Sequence, residues 1–228
     1  MRARVGAWMA ALGSAFLLLA PSASAEEPWT AVTQREGLFS DSITCLAALP
    51  TGGMAIGTRD GLSLWEGGRP TGELAAARQT DGPVSAVAVA GDALWVGWWG
   101  GGLAHQTETG WVRYRAGSSP LPGDWISGLA AAHDGLWVGT YGRGLAHWQA
   151  GRWTIYRRQA GGLPSDWITC LLPDALGGVW VGTERDGLAH RDAAGRWSIF
   201  ALPYDGVTEV TALAQVSGSL WVGTRRGV

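Results

Sequence analysis

The chain of 228 residues balances 17 basic side chains, all of them Arg, against 19 acidic ones, for a formal net charge of −2. That balance leaves no basic footprint for nucleic acid or an anionic membrane surface, and excludes binding by charge alone. Glycine (36 residues) and tryptophan (15 residues) stand out instead, pointing to many tight turns and large apolar anchors.

In chain order, the first segment is Met1 to Ala25. Arg2 and Arg4 make a basic start, Val5 to Ala20 is mostly apolar, and Ala23-Ser24-Ala25 is a small-residue cleavage site. The order reads as a secretory signal peptide over residues 1–25, cleaved after Ala25. Its apolar run falls short of the ~20 residues that span a bilayer, and no Cys follows the cleavage point to serve as a lipid anchor. The expected destination is the periplasm or the medium, with no membrane insertion after cleavage.

From Glu26 the chain is organised by one phrase. Leu136-Trp137-Val138-Gly139-Thr140 recurs as Leu94-Trp95-Val96-Gly97-Trp98, Val179-Trp180-Val181-Gly182-Thr183 and Leu220-Trp221-Val222-Gly223-Thr224, with a weaker copy at Met54-Ala55-Ile56-Gly57-Thr58. The five glycines are 40, 42, 43 and 41 residues apart, a period that marks a repeat architecture. Each repeat reads as four short strands; in the fourth copy these are Trp167 to Leu172, Val179 to Thr183, Gly187 to His190 and Arg196 to Phe200. Four strands per ~42 residues predict an all-β fold, a β-propeller of four-stranded blades occupying residues 26–228.

Three features refine that prediction. The first strands show little polar alternation, as for strands buried on both faces, and each carries a small residue (Cys45, Ala86, Gly128, Cys170, Ala212) that permits close approach. Trp29-Thr30-Ala31-Val32 resembles the fourth strands Trp153-Thr154-Ile155-Tyr156 and Trp197-Ser198-Ile199-Phe200, so it is expected to close the last blade. That blade is incomplete, reaching only Arg225-Arg226-Gly227-Val228, which leaves two architectures: a five-bladed ring or part of a larger propeller. An unfinished blade bares a β-edge, which favours the second. In blade one, Gly68-Arg69-Pro70 places proline where only an outer strand tolerates it. Cys45 and Cys170 occupy the same position of two non-adjacent repeats and are expected to be unbridged thiols, since a disulfide needs Cα atoms within about 7 Å.

The phrase Gly162-Leu163-Pro164-Ser165-Asp166-Trp167-Ile168-Thr169, followed by Gly178-Val179-Trp180-Val181-Gly182-Thr183 and Gly187-Leu188, resembles the two-component regulator propeller repeat. That family supplies periplasmic sensor regions of hybrid histidine kinases and stand-alone exported proteins. The resemblance implies a propeller with a non-enzymatic sensing or binding role, a ligand met outside the inner membrane, and a sensor kinase or other envelope protein as partner. Competing readings are a propeller lyase or hydrolase similar to streptogramin lyase, which shares the second-strand phrase, and a protein-interaction scaffold.

Candidate chemistry is sparse. No Gly-x-Ser-x-Gly, His-Glu-x-x-His, phosphate-binding loop or Cys-x-x-Cys occurs, so no catalytic set and no cofactor is predicted. His105, His147 and His190 recur in Gly-Leu-Ala-His, but sheets about 10 Å apart cannot bring three imidazoles to one zinc, so no metal site is predicted. Asp41, Asp124 and Asp166 read as turn caps. Most tryptophans fall at fixed positions, Trp95, Trp137, Trp180 and Trp221 on second strands and Trp29, Trp111, Trp153 and Trp197 on fourth strands, and read as core between sheets.

Trp98 and Trp99 break the pattern, and Trp125 and Trp167 precede first strands. In an outward-wound meander, the lead-in to strand one and the turn between strands two and three share a face. There the repeat is least uniform, and the candidate ligand-binding residues are Trp98, Trp99, Tyr141, Arg143, Glu184, Arg185, Asp186 and Arg225. Aromatic planes beside Arg and carboxylates suit a glycan or an anionic small molecule. The plainer alternative is a set of solvated turns.

Overall fold

Successive hairpins fold each repeat into a sheet, as short apolar runs punctuated by Gly-rich turns dictate. The computed structural model describes residues 16–17, 30–73, 82–202 and 209–227. A two-stranded pair, β1 (Phe16–Leu17) and β2 (Thr30–Ala31), precedes the repeats. The first four-stranded antiparallel sheet comprises β3 (Ile43–Ala48), β4 (Met54–Thr58), β5 (Leu62–Glu66) and β6 (Arg69–Glu73). The second is β7 (Val84–Ala90), β8 (Ala93–Trp98), β9 (Gly102–Thr107) and β10 (Gly110–Tyr114). The third is β11 (Ile126–Ala132), β12 (Gly135–Thr140), β13 (Gly144–Gln149) and β14 (Arg152–Tyr156). The fourth is β15 (Ile168–Pro173), β16 (Val179–Thr183), β17 (Leu188–Arg191) and β18 (Trp197–Phe200), within one residue of the predicted bounds. A final pair, β19 (Val210–Val216) and β20 (Ser219–Thr224), begins the fifth. Pro70 lies on β6, an outermost strand, as expected.

The sheets stack in sequence, β3 against β7, β7 against β11, β11 against β15 and β15 against β19, as the blades of a β-propeller do. Apolar cores fill the first three gaps. Ala55 and Leu62 meet Val84, Leu94 and Val96; Ala86 and Trp95 meet Ile126, Leu136 and Val138; Ala130 and Trp137 meet Ile168, Val179 and Val181.

The repeated glycine earns its place at these junctions. A Cβ added to Gly57, Gly97, Gly139 or Gly182 would stand within 2.8 Å of Val84, Ile126, Ile168 or Val210, the first residue of the next sheet. Each of those branched residues is fully buried, a burial worth about 1.5–3 kcal/mol apiece. On its own sheet the glycine faces the small residue of the first strand, in the pairs Cys45–Gly57, Ala86–Gly97, Gly128–Gly139, Cys170–Gly182 and Ala212–Gly223. The small residue is therefore required opposite the glycine as well as near the axis. A β-bulge precedes it in all five sheets, and the bulged residue is a hydroxyl side chain each time: Thr44, Ser85, Ser127, Thr169 and Thr211. Bulges bend a strand and re-aim its side chains, which here turns the first residue into the neighbouring sheet.

Aromatic stacks run outward along the second, third and fourth sheets. Trp95, His105 and Tyr114 form one, with centroids 4.2 Å and 6.0 Å from Trp95; Trp137, His147 and Tyr156 form the next, at 3.9 Å and 5.6 Å from Trp137. Trp180, His190 and Phe200 form the third, at 4.2 Å and 5.5 Å from Trp180. The next blade caps the first two, Trp148 edge-on to Trp95 at 4.9 Å and Arg191 over Trp137 at 5.6 Å. The recurrent histidines are thus stacking partners within the blades.

Two expectations need correction. Of the first strands only β7 is buried on both faces, at Val84, Ala86, Val87 and Ala88; β11 and β15 are largely half-buried and β3 alternates half-buried with exposed residues, while fuller burial lies on β8 and β12. The N-terminal strand does not close the last blade: Thr30–Ala31 pairs with Phe16–Leu17, while Val32 packs on Leu38, Ile56 and Trp65 beside the first sheet. A capping box between Thr33 and Glu36 and a bond from Gln34 N–H to Asp41 Oδ1 (2.7 Å) hold that segment there. Among the described residues, no packing comparable to that between successive sheets joins β19 or β20 to β3, so the sheets form an open arc. Of the segment read as a signal peptide only Phe16–Leu17 is described, and both its cleavage site and Trp29 lie outside the described residues. Among the described residues no helix is long and apolar enough to cross a membrane.

Candidate functional site

Backbone bonds place the predicted loops on one face. Within each blade the turn after the second strand donates to the residue before the first: Arg59 N–H to Ser42 O (3.0 Å), Trp99 to Pro83 (2.9 Å), Tyr141 to Trp125 (2.9 Å) and Glu184 to Trp167 (3.0 Å). Between blades, the carbonyl of Asp124 accepts from Gly100 (3.1 Å) and Gly102 (2.9 Å), and that of Asp166 from Gly142 (3.1 Å) and Gly144 (2.9 Å). The carboxylates of these aspartates pin the lead-in loop, Asp124 Oδ1 accepting from Ala116 N–H and Asp166 Oδ1 from Arg158 N–H, each at 2.8 Å. The capping role expected of Asp41, Asp124 and Asp166 is what the geometry shows.

This lacing brings aromatic rings from successive blades into a continuous track. Trp99 of the second sheet meets Trp125 of the third edge-on at 5.2 Å and Tyr141 at 5.2 Å; Tyr141 meets Trp167 of the fourth at 4.5 Å; Arg185 lies 5.8 Å over Trp167. Trp99, Trp125 and Trp167 remain 37%, 49% and 38% exposed, unusual for indoles that the fold could have buried. Gly142, at φ +86°, lies directly beneath the Trp167 ring, where an added Cβ would come within 3.3 Å of it. The left-handed conformation and this close approach both demand glycine.

Charge gathers at one end of the track. Burial first, then the neighbouring Glu184 carboxylate, holds the Tyr141 hydroxyl above its ordinary pKa, so it stays a donor at neutral pH. Glu184 Oε2 is buried without a hydrogen-bond partner among the described residues, an acceptor awaiting a donor. Arg225 pairs with Glu209 at 2.5 Å, Arg143 is exposed with its stem against Gly123, and Asp186 is part of the turn capped by Thr183.

Of the residues singled out from sequence, Trp99, Tyr141, Glu184 and Arg185 come together on the track, and Arg143, Asp186 and Arg225 flank it. Trp98 does not join them. It is 2% exposed and sits in the core between the first two sheets, with the Arg113 guanidinium 5.5 Å from its ring, because its strand position points inward. Its counterparts Thr58, Thr140 and Thr183 are buried too, each donating to a turn carbonyl. Trp125 and Trp167 also lie on the track and were left unassigned; the signal was their shared position after Asp124 and Asp166.

The opposite ends of the blades carry His–carboxylate pairs. His190 Nε2 lies 2.5 Å from Asp174 Oδ2, and His147 Nε2 lies 3.4 Å from Asp134 Oδ1. Asp174 Oδ1 also accepts from Leu176 and Gly178 N–H, each at 2.8 Å. Burial raises the Asp174 pKa, but the His190 bond and these N–H groups outweigh it and hold the carboxyl below its usual range. The His190–Asp174 bond ties the turn between first and second strands to the stacked histidine of its blade, whereas His147 and Asp134 approach without a hydrogen bond.

The two component regulator propeller family model matches residues 162–185, which contain the lead-in loop, β15 and β16 of the fourth sheet. That one segment matches the two component regulator propeller repeat. The extracellular domain of a hybrid two component system from B. thetaiotaomicron superposes with a TM-score of 0.71 at 18% identity, over 87% of this chain and 29% of that one. A second such domain from the same organism gives 0.65 at 19% identity, over 80% and 25%. Virginiamycin B lyase from Staphylococcus aureus gives 0.63 at 14% identity, over 79% and 62%. At these identities the likeness is one of fold, and the chain spans less than a third of the two extracellular domains. No curated protein matches the sequence.

Proposed function

We propose that this propeller is an exported, non-enzymatic ligand-binding module, taking a glycan or other small molecule on the track and serving a sensor kinase or other envelope protein. The observation that carries the reading is the run of exposed rings, Trp99, Trp125 and Trp167, joined through Tyr141 across three blades. Stacking on such rings gives affinity, while Glu184, Arg185 and Arg143 supply charge-assisted hydrogen bonds for orientation. Residues 162–185 match a two component regulator repeat, and extracellular domains of hybrid two component systems share the fold, which supports this reading. The His190–Asp174 pair lies at the far end of its blade with Asp174 bonded to turn N–H groups, which supports binding over catalysis.

The test is calorimetric titration with a panel of neutral and acidic oligosaccharides. A binder from the panel should lose about fivefold or more in affinity in Trp99→Ala and Trp167→Ala, one stacked ring being worth about 1 kcal/mol or more, with melting temperatures unchanged. Unchanged affinity in both variants would remove the track as the site.

A further inference from the structure

We propose that the fourth-sheet end of the track takes a hydroxyl group of an uncharged glycan, with Glu184 as the acceptor that selects such a ligand over an acidic one; the inference rests on the track being the binding site. Two positions alternate along the track, the residue after a second strand and the residue before the next sheet's first strand. They meet across successive blades in the bridges Trp99–Trp125 and Tyr141–Trp167. One blade further on, the same two positions hold Glu184, which follows Thr183, and Glu209, which precedes Val210. The repeat therefore places carboxylates where its two preceding steps place rings, and a stacking platform gives way to acceptors.

The two carboxylates differ in what they already hold. Glu209 is paired with Arg225, whereas Glu184 Oε2 is buried with no hydrogen-bond partner among the described residues. A desolvated carboxylate oxygen without a donor is costly, and a ligand that brings one relieves that cost. Burial first and Glu184 next raise the Tyr141 pKa, which puts the carboxylate at the edge of the aromatic run. The guanidiniums that could invite an acid at this step are engaged, Arg225 on Glu209 and Arg185 over the Trp167 ring at 5.8 Å. An anionic group here would face like charge in a partly desolvated setting. A hydroxyl instead donates to the carboxylate in a charge-assisted bond, while the C–H face of the same sugar stacks on the exposed Trp167 indole.

Calorimetric titration of the full chain with cellohexaose, mannohexaose and laminarihexaose as uncharged probes, and hexagalacturonate as the acidic one, tests the proposal. At least one uncharged hexaose should bind, and hexagalacturonate should bind about tenfold more weakly or worse. Glu184→Gln, which keeps the shape and removes the charge, should lower the affinity for that hexaose about fivefold or more and raise that for hexagalacturonate, with the melting temperature unchanged. A side chain with a purely structural role would not move the two affinities in opposite directions. Hexagalacturonate binding as tightly as the uncharged probes overturns the proposal, as do affinities unaltered in Glu184→Gln while Trp167→Ala still weakens binding; both results leave the track in place. Binding indifferent to Trp99→Ala and Trp167→Ala, or no binding by any of the probes, removes the track and this inference together.

Discussion

Ile126 occupies the space that Gly97 leaves, its Cγ2 only 2.5 Å from where a glycine Cβ would stand. The contact joins two blades through one missing methyl group. Gly97→Ala should therefore destabilise the protein by about 1–3 kcal/mol, the usual cost of overpacking a filled core. Ile126→Ala alone should cost about 2–5 kcal/mol by opening a cavity. The double variant should cost less than the sum of the two, because the new methyl enters the vacated volume. Urea titrations of the four proteins measure this, and strict additivity would mean that the two residues do not share the space.

Stability should fall as the medium is acidified from neutrality, and the stacked histidines are the reason. Burial pushes His147 and His105 below their ordinary value of 6.5, and for His147 this outweighs the opposing pull of Asp134. The unfolded chain then binds a proton more readily than the folded one. The stabilisation is full above pH 6.5 and is lost as pH drops from there toward the folded values. His147→Leu, which installs the residue that Leu64 provides in the first blade, should flatten the decline in melting temperature between neutrality and mild acid. An unaltered slope would show that His147 keeps its proton equilibrium on folding. Asp174, held below its ordinary 3.8, acts in a separate window, its contribution present above that value and lost in stronger acid.

Both cysteines are free thiols, and burial pushes each up to about 11 despite hydrogen bonds from Thr44 and Thr169 that oppose it. At pH 8 almost no thiolate exists to react. Ellman's reagent should label the native protein slowly and titrate two thiols at once after unfolding without reductant. A product with no titratable thiol would require a bridge between sheets one and four, which the arc does not bring together.

The repeat and its strands were legible in the sequence because both are local. A period near 42 residues, glycines at fixed offsets and short apolar runs specify hairpins whatever lies around them, and the fourth sheet formed within one residue of its expected bounds. The indole of Trp137, the glycine after it and the pinning aspartates Asp124 and Asp166 likewise declared their positions through recurrence. Recurrence could not tell which side of a strand or turn a given ring would face. Trp98 and Trp99 are neighbours in sequence, yet one is core and the other surface, because the strand's alternation ends between them. Nor could it show that Trp125 meets Trp99, since that contact depends on how one blade's lead-in loop is laced to the preceding blade's turn. The fate of Thr30–Ala31 was decided the same way: its sequence suits a fourth strand anywhere, and the docking of Leu38 and Asp41 beside the first sheet settled where it went. Distances between blades are set by what fills the gap, here a branched side chain over a glycine, and only the assembled arc fixes that.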